Sequence, residues 1–391
     1  MFFDTAELLQ KYGHQIAYFA MASPNNIPSP DADYFVPYVD LNQTRGLVNQ
    51  LKLAGQIIYS LEAKRKITEL LEHKKPNLAH LHNIYHQLSP SILGAIKRKK
   101  IPIVMTLHDY KLTCPVYTLM RDGKICEECK GGKYYKVVQN HCTKGSRAKS
   151  VVNMIEMYLH HTVFRVYNQV DVFISPSRFL KHQIEAMGFP GNIVHLPNFI
   201  NAAGYEPQYE PQENSLVYFG RLSEEKGVAT LVEAVKGLNI PLKIIGDGPQ
   251  KELLVAKCAQ EKIDNVKFLG YKTGKELLEE IRRSAVVVIP SEWYENYPRS
   301  VIESFALGKP VIGANIGGIP ELVNDGETGY LFEPGNSQAL REKIQLVIEN
   351  RQFISAMGRN ARRFAETELN PEQHYQQLME VYQGAIQKQN K

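Results

Sequence analysis

The sequence predicts an α/β protein built from two doubly wound domains, and three observations predict it. The chain has 391 residues, more than one hydrophobic core usually serves. Strand-like apolar runs alternate with helix-like ones throughout, as they do where helices cross between the strands of a parallel sheet. In the second half the strand-like runs end in glycine-rich turns, at the place where such sheets bind ligands. These features assign residues 1–198 to a first domain with an excursion over 112–147, and residues 199–371 to a second. A final helix, 372–391, is expected to cross back onto the first domain.

Hydrophobic content of 43% and charged content of 22% are those of a globular chain and exclude extensive disorder. The longest apolar runs, such as Ala285 to Pro290, fall far short of the roughly 20 residues that cross a bilayer, and no signal-peptide pattern is seen, so the cytoplasm is the expected compartment. Residues 1–198 hold 24 Lys and Arg against 15 Asp and Glu, and the remainder 22 against 26. The basic first half carries the clusters Lys64-Arg65-Lys66 and Lys97-Arg98-Lys99-Lys100. They read either as a solvated face or as a peripheral contact with an anionic membrane surface or acidic acceptor. No nucleic-acid-binding motif accompanies them.

The first domain opens with an amphipathic helix, Phe2 to Lys11, that carries Phe2, Phe3, Ala6 and Leu9 on one face and is stopped by Gly13. A strand over Ile16 to Met21 and a turn rich in proline follow. Then come a helix from about Arg45 to His73, a strand over Asn77 to His82, a helix over Ser89 to Lys99 and a strand over Ile101 to Leu107. Past the excursion a helix over Val151 to Tyr167 leads to the strand Asp171 to Ser175, the helix Ser177 to Ala186 and the strand Asn192 to Leu196. Pro197-Asn198 is the expected hinge.

The second domain repeats the rhythm. Strands are expected at Leu216 to Phe219, Leu242 to Ile245, Val266 to Leu269, Ala285 to Ile289 and Pro310 to Gly313. Helices are expected at Val228 to Lys236, Gln250 to Lys262, Gly274 to Arg283 and Arg299 to Leu307, with helix alone beyond Leu331.

Four of the five cysteines, Cys114, Cys126, Cys129 and Cys142, fall in the excursion. A short C-x2-C knuckle between two outer thiols suits a structural zinc held by four thiolates. Free or redox-active thiols are the alternative, and disulfides are disfavoured in a reducing cytosol. Four thiolates would leave a metal no open position, so catalytic zinc is not expected.

Three segments of the second domain carry chemistry. In Gly220-Arg221-Leu222-Ser223-Glu224-Glu225-Lys226-Gly227 a guanidinium and an ammonium stand five residues apart on a glycine-bracketed loop, a pairing suited to a diphosphate. Gly246-Asp247-Gly248-Pro249 ends the next strand and leaves room for a nucleotide, although any tight turn favours these residues. The third segment, Ser291 to Glu303, sets Glu295 and Glu303 eight residues apart across a strand-to-helix turn. Pro298 suits the first helical turn, and the amides of Arg299 to Val301 point at whatever sits above it. Glu303 can accept from ribose hydroxyls and Glu295 from sugar hydroxyls, with Asn296 and Tyr297 beside them on the loop. Read blandly, both are surface carboxylates. Gly317-Gly318-Ile319-Pro320-Glu321 would lay more backbone against the same pocket.

Together these segments resemble the C-terminal domain of glycosyltransferase family 4, retaining enzymes of GT-B fold in which two Rossmann-like domains face each other across a cleft. The resemblance spans Leu216 to about Phe332. It implies that Arg221 and Lys226 grip the donor diphosphate, Glu303 the ribose and Glu295 the transferred sugar, with Gly220, Gly246, Gly248, Asn296, Tyr297, Pro298, Arg299 and Ser300 lining the donor site and the base near Gly270-Tyr271. Thr106-Leu107-His108-Asp109-Tyr110 is similar to the segment where the family carries a histidine at the reacting carbon, which makes His108 the polar contact to the donor sugar; His80-Leu81-His82-Asn83 resembles another cleft-lining strand end. The cysteine excursion resembles a feature of a bacterial subgroup that often acts in cell-surface polysaccharide synthesis.

The resemblance therefore implies transfer from a nucleotide-diphosphate sugar to a glycan or lipid-linked acceptor, with leaving-group charge met by Arg221, Lys226 and helix amides and no catalytic cofactor. Family members open with a strand and glycine-rich loop before the first helix, whereas this sequence starts within that helix. Two neighbouring strands are expected to lack ladder partners as a result. A catalytically impaired nucleotide-sugar binder and a nucleotide-sugar epimerase are the alternative readings.

Overall fold

The computed structural model describes residues 1–38, 47–86 and 88–389. Four parallel strands form the first sheet: β1 (Ala79–His82), β2 (Ile103–Thr106), β3 (Val172–Ser175) and β4 (Ile193–His195), side by side in chain order. β2 and β3 are fully buried, whereas β1 is half-buried along its length, as befits an edge. The Phe2–Lys11 helix forms as expected and buries Ala6, Leu8 and Leu9.

Several first-domain expectations are corrected. Of the strand expected at Ile16 to Met21, only Met21 enters a ladder. Met21–Ala22 pairs with Val36–Pro37 in a separate two-stranded sheet, while the Tyr18 amide donates to the Asp31 carboxylate at 2.8 Å. The edge of β1 and this small ladder thus remain separate. The helix expected from Arg45 to His73 is two helices, Leu47–Ile58 and Leu61–Lys74, and Arg45 lies outside the described residues. Ser60 causes the break, because its hydroxyl caps the second helix by accepting from the Ala63 amide at 3.1 Å. The helix expected over Val151 to Tyr167 spans Arg147–Tyr158, then widens into a π turn at Leu159–Val163. His160 is drawn inward there, with Nε2 2.7 Å from the Ile58 carbonyl.

The excursion closes as a hairpin, Met120–Arg121 against Lys124–Ile125, around Asp122-Gly123, both with positive φ as a tight two-residue turn requires. Beneath it, the ammonium of Lys111 and the carboxylate of Glu156 pair at 2.9 Å, both fully buried. The basic clusters are largely engaged within the chain: Arg65 with Glu69, Lys97 with Asp171 and Lys99 with Glu72.

The second sheet holds β5 (Leu216–Phe219), β6 (Leu242–Ile245), β7 (Val266–Gly270), β8 (Val286–Ile289), β9 (Val311–Ala314) and β10 (Gly329–Phe332), all parallel in the order β7-β6-β5-β8-β9-β10. β10 was not expected from the sequence; past its last residue, Phe332, the chain is helical, as expected beyond Leu331. The order reverses between β5 and β8, which opens a crevice at their C-terminal ends. The Pro371–Gln389 helix packs Leu378, Tyr382 and Ala385 against Leu9, Val104, Val172, Ile174 and Leu196 of the first domain. Among the described residues no helix is long and apolar enough to cross a membrane.

Candidate functional site

Every chemically suggestive segment leaves the C-terminal end of a strand, and backbone bonds lace those segments together. The Leu222 amide donates to the Asp247 carbonyl at 2.9 Å and the Gly246 amide to the Gly270 carbonyl at 2.8 Å. A Cβ on Gly246 would lie 1.9 Å from the Gly220 carbonyl oxygen, so only glycine lets these loops approach. Gly248 lies in the same lacing, and Tyr271, 74% exposed, stands at its rim. Arg221 is exposed, and among the described residues its guanidinium has no partner.

Lys226 and Glu295 come together across the crevice at 2.7 Å. Glu295 is almost buried, its Oε1 also accepts from Ser291 Oγ at 2.6 Å, and the Lys226 ammonium sits 5.0 Å from the centre of the Trp293 ring. The loop is held from behind by Gly318, whose amide donates to the Glu295 carbonyl at 2.7 Å. A Cβ there would fall 1.8 Å from the Asn296 carbonyl oxygen. His108, Trp293, Glu295, Asn296, Tyr297 and Pro298 line one cavity of about 140 Å³. A larger one of about 530 Å³ lies between the Phe2–Lys11 helix and the Phe199–Tyr205 segment. Of the residues expected to carry the chemistry, His108 and Glu295 line the smaller cavity.

Two expected donor contacts are otherwise engaged. Arg299 lines the larger cavity, and its guanidinium bridges Glu303 on its own helix (2.6 Å) to Asp4 of the first domain (2.5 Å). Asn296 uses both ends of its amide on the first domain, donating to the Leu107 carbonyl at 3.2 Å and accepting from Ser177 Oγ at 2.9 Å. Ser300 lies in the first turn of the Arg299–Ala306 helix, directly after the Pro298 cap.

The first domain brings His108 to the cavity from the end of β2. Its Nε2 lies 2.8 Å from Nδ1 of His82, at the end of β1. His80, behind them, bonds Tyr382 Oη and Thr106 Oγ1, both at 2.7 Å. Burial pushes the His108 imidazole down to about 4 and His80 to about 3, and holds His82 well below the usual histidine range, so all three are neutral at pH 7.

The contacts between the domains were not foreseen from the sequence, although Tyr110 and Glu321 lie in segments singled out there. Glu321 of the second domain accepts from the Arg178 and Phe179 amides at 2.9 and 2.6 Å, at the N-terminus of the Arg178–Ala186 helix. Tyr110 Oη donates to the Tyr294 carbonyl, and Tyr294 Oη to Glu127 between the knuckle cysteines. The lone tryptophan of the chain on a polar loop was the one sequence signal that could have marked Trp293. The four excursion cysteines are free thiols, Cys114 buried and the others half-buried. Burial and the neighbouring thiols push Cys129 up to about 12 and Cys142 up to about 11. The four thiols, the set the spacing suggested for a structural zinc, thus lie within electrostatic reach of one another, although among the described residues no three His, Cys, Asp or Glu are drawn together as a ready metal ligand set.

Two family models match the chain: Glycosyltransferase Family 4 over residues 1–203 and Glycosyl transferases group 1 over residues 206–364. It is 26% identical over 322 residues to an uncharacterized glycosyltransferase of Methanocaldococcus jannaschii, covering 82% of this chain and 79% of that one. It is 22% identical over 339 residues to the capsular polysaccharide biosynthesis glycosyltransferase CapM of Staphylococcus aureus, covering 84% and 85%. Among solved structures, Anabaena HepE in complex with UDP and glucose superposes with a TM-score of 0.61 at 20% identity, over 88% of this chain and 86% of that one. The shared architecture is GT-B, two Rossmann-like domains facing across a cleft.

Proposed function

The chain belongs to glycosyltransferase family 4 and is a glycosyltransferase, and from that premise we propose that it moves a sugar, with retention of configuration, from a nucleotide-diphosphate sugar to a glycan or lipid-linked acceptor in cell-surface polysaccharide synthesis. One observation carries the proposal: Lys226 meets Glu295 at a crevice whose cavity is shared by His108 of the opposite domain. That cavity is well below the roughly 300–1,000 Å³ of pockets that enclose drug-sized ligands, so it takes the sugar end of a donor only. The diphosphate then lies outward along the unpaired Arg221 and the first turn of the Arg299–Ala306 helix, and the base toward Tyr271.

In the reaction the bond from the anomeric carbon to the phosphate oxygen breaks as the bond to the acceptor oxygen forms on the same face. The acceptor proton passes to the departing phosphate. Arg221, Lys226 and the helix amides stabilise the charge that collects there. Glu295 and a neutral His108 orient the sugar hydroxyls, and Glu303 accepts from the ribose once Arg299 shares it. The HepE complex with UDP and glucose and the capsular role in CapM's name support this donor class and this setting.

Thermal shift with a panel of UDP- and GDP-hexoses tests the reading, because a ligand at 100 times its Kd adds about 2.7 kcal/mol to stability. One member of the panel should raise the melting temperature and be hydrolysed slowly without acceptor. A chain that none of them stabilises would overturn the proposal, and binding with no turnover under any acceptor would leave only a binder.

A further inference from the structure

We propose that His82 is a positioning residue for the transfer reaction, fixing His108 in one tautomer and one ring orientation so that Nδ1 of His108 faces the donor sugar. The proposal rests on the reading of His108 as the sugar contact.

The strand register creates the pair. β1 and β2 run parallel with His82 opposite Thr106, so His108, two residues past Thr106, emerges beside His82. His82 Nδ1 and His108 Nε2 are 2.8 Å apart, a distance that requires one proton between them. With both rings neutral, one donates and the other accepts, and His108 can change tautomer within the bond only if His82 changes its own at the same time. In both arrangements Nε2 of His108 is consumed, and Nδ1 is the nitrogen left for the cavity it shares with Glu295.

His82 is itself held. Its ring lies edge-on to Phe2 at 5.4 Å and against His80 at 4.5 Å. His80 cannot rotate away, because both of its nitrogens are bonded, one to Thr106 and one to Tyr382 of the Pro371–Gln389 helix. Without the His82 contact, His108 would be free to exchange tautomers and to swing within the cavity. A displacement of about 1 Å at such a group can cost on the order of 100-fold in rate.

Asparagine places an amide where histidine has Nδ1, and glutamine where it has Nε2, so the two separate the proposed bond from mere bulk. With the UDP- or GDP-hexose that stabilises the protein, His82→Asn should stay within about threefold of wild-type kcat. His82→Ala and His82→Gln should lose about 10- to 100-fold in kcat, with KM within about twofold. In parallel, 15N-histidine NMR of the wild-type chain at pH 7.5 should show His108 in a single tautomer, and His82→Ala should show a mixture. Equal losses in the Asn, Gln and Ala variants, or a mixed tautomer in wild type, would overturn the proposal. His108→Ala with unchanged turnover would instead sink the reading of His108, and the tautomer measurement would still decide whether His82 holds it.

Discussion

The Lys226 ammonium lies 2.7 Å from the Glu295 carboxylate, so the cation expected at the diphosphate and the acid expected at the sugar neutralise each other across the crevice. On the proposed reading, a donor entering here meets a preformed charge pair and not two separately hydrated groups.

Lys226→Ala should lower kcat/KM by at least about 100-fold, the loss typical of removing one charge-stabilising donor. It also leaves the Glu295 carboxylate, almost buried, with Ser291 Oγ as its remaining side-chain partner. Steady-state donor hydrolysis measures the effect, and turnover near the wild-type level would contradict the assignment.

Glu321→Gln should loosen the contact between the domains. The carboxylate closes the N-terminus of the Arg178–Ala186 helix from the opposite domain, where such a charge is worth about 0.5–2 kcal/mol. Small-angle scattering should show a larger radius of gyration, with nucleotide affinity within about threefold of wild type because Arg221 and Lys226 are untouched. An unchanged radius would show that the clasp does not hold the domains together.

Lys111→Met should destabilise the fold by about 3–5 kcal/mol, since it strands the buried carboxylate of Glu156. The double variant Lys111→Met/Glu156→Leu should recover most of that loss in denaturant titration. A single variant as stable as wild type would mean that the pair contributes nothing.

Acid should weaken the fold in two windows. Burial holds His80 and His161 at about 3 and His108 and His374 at about 4, all below the ordinary 6.5. The unfolded chain therefore takes up protons below pH 6.5 that the folded chain refuses, and stability falls from there toward pH 3. Burial would raise the Glu156 carboxyl, but the Lys111 ammonium, with His86 nearby, holds it at about 2. Its contribution is complete above pH 4.5 and disappears as pH falls toward 2. Urea midpoints that stay level between pH 7.5 and 5 would rule out the histidine part.

The second domain was legible because its signals are local. A glycine where loops approach within van der Waals distance, as at Gly246, or a proline before a helix, as at Pro298, leaves its mark in a few adjacent residues. Only β10 escaped, a four-residue run at the edge of the sheet. The first domain was harder to read. The break at Ser60 depends on a cap within a continuous helical pattern, and the π turn after Tyr158 on a carbonyl of another helix. The site was legible to the same extent. Lys226 and Glu295 were expected at one crevice, and they are there. The bonds of Asn296 to Leu107, Arg299 to Asp4 and Glu321 to Arg178 join residues 143 to 295 positions apart, and nothing in either partner's neighbourhood announces the other.

The helix that returns from the second domain has a consequence for biosynthesis. Val104, Val172 and Ile174 form a wall of the first domain that Leu378, Tyr382 and Ala385 cover. On the ribosome, at about 5–20 residues per second, that wall emerges roughly 10–40 s before its cover. The half of the protein made first is thus the half completed last, and a growing chain must keep an oily surface from its neighbours until the closing residues arrive.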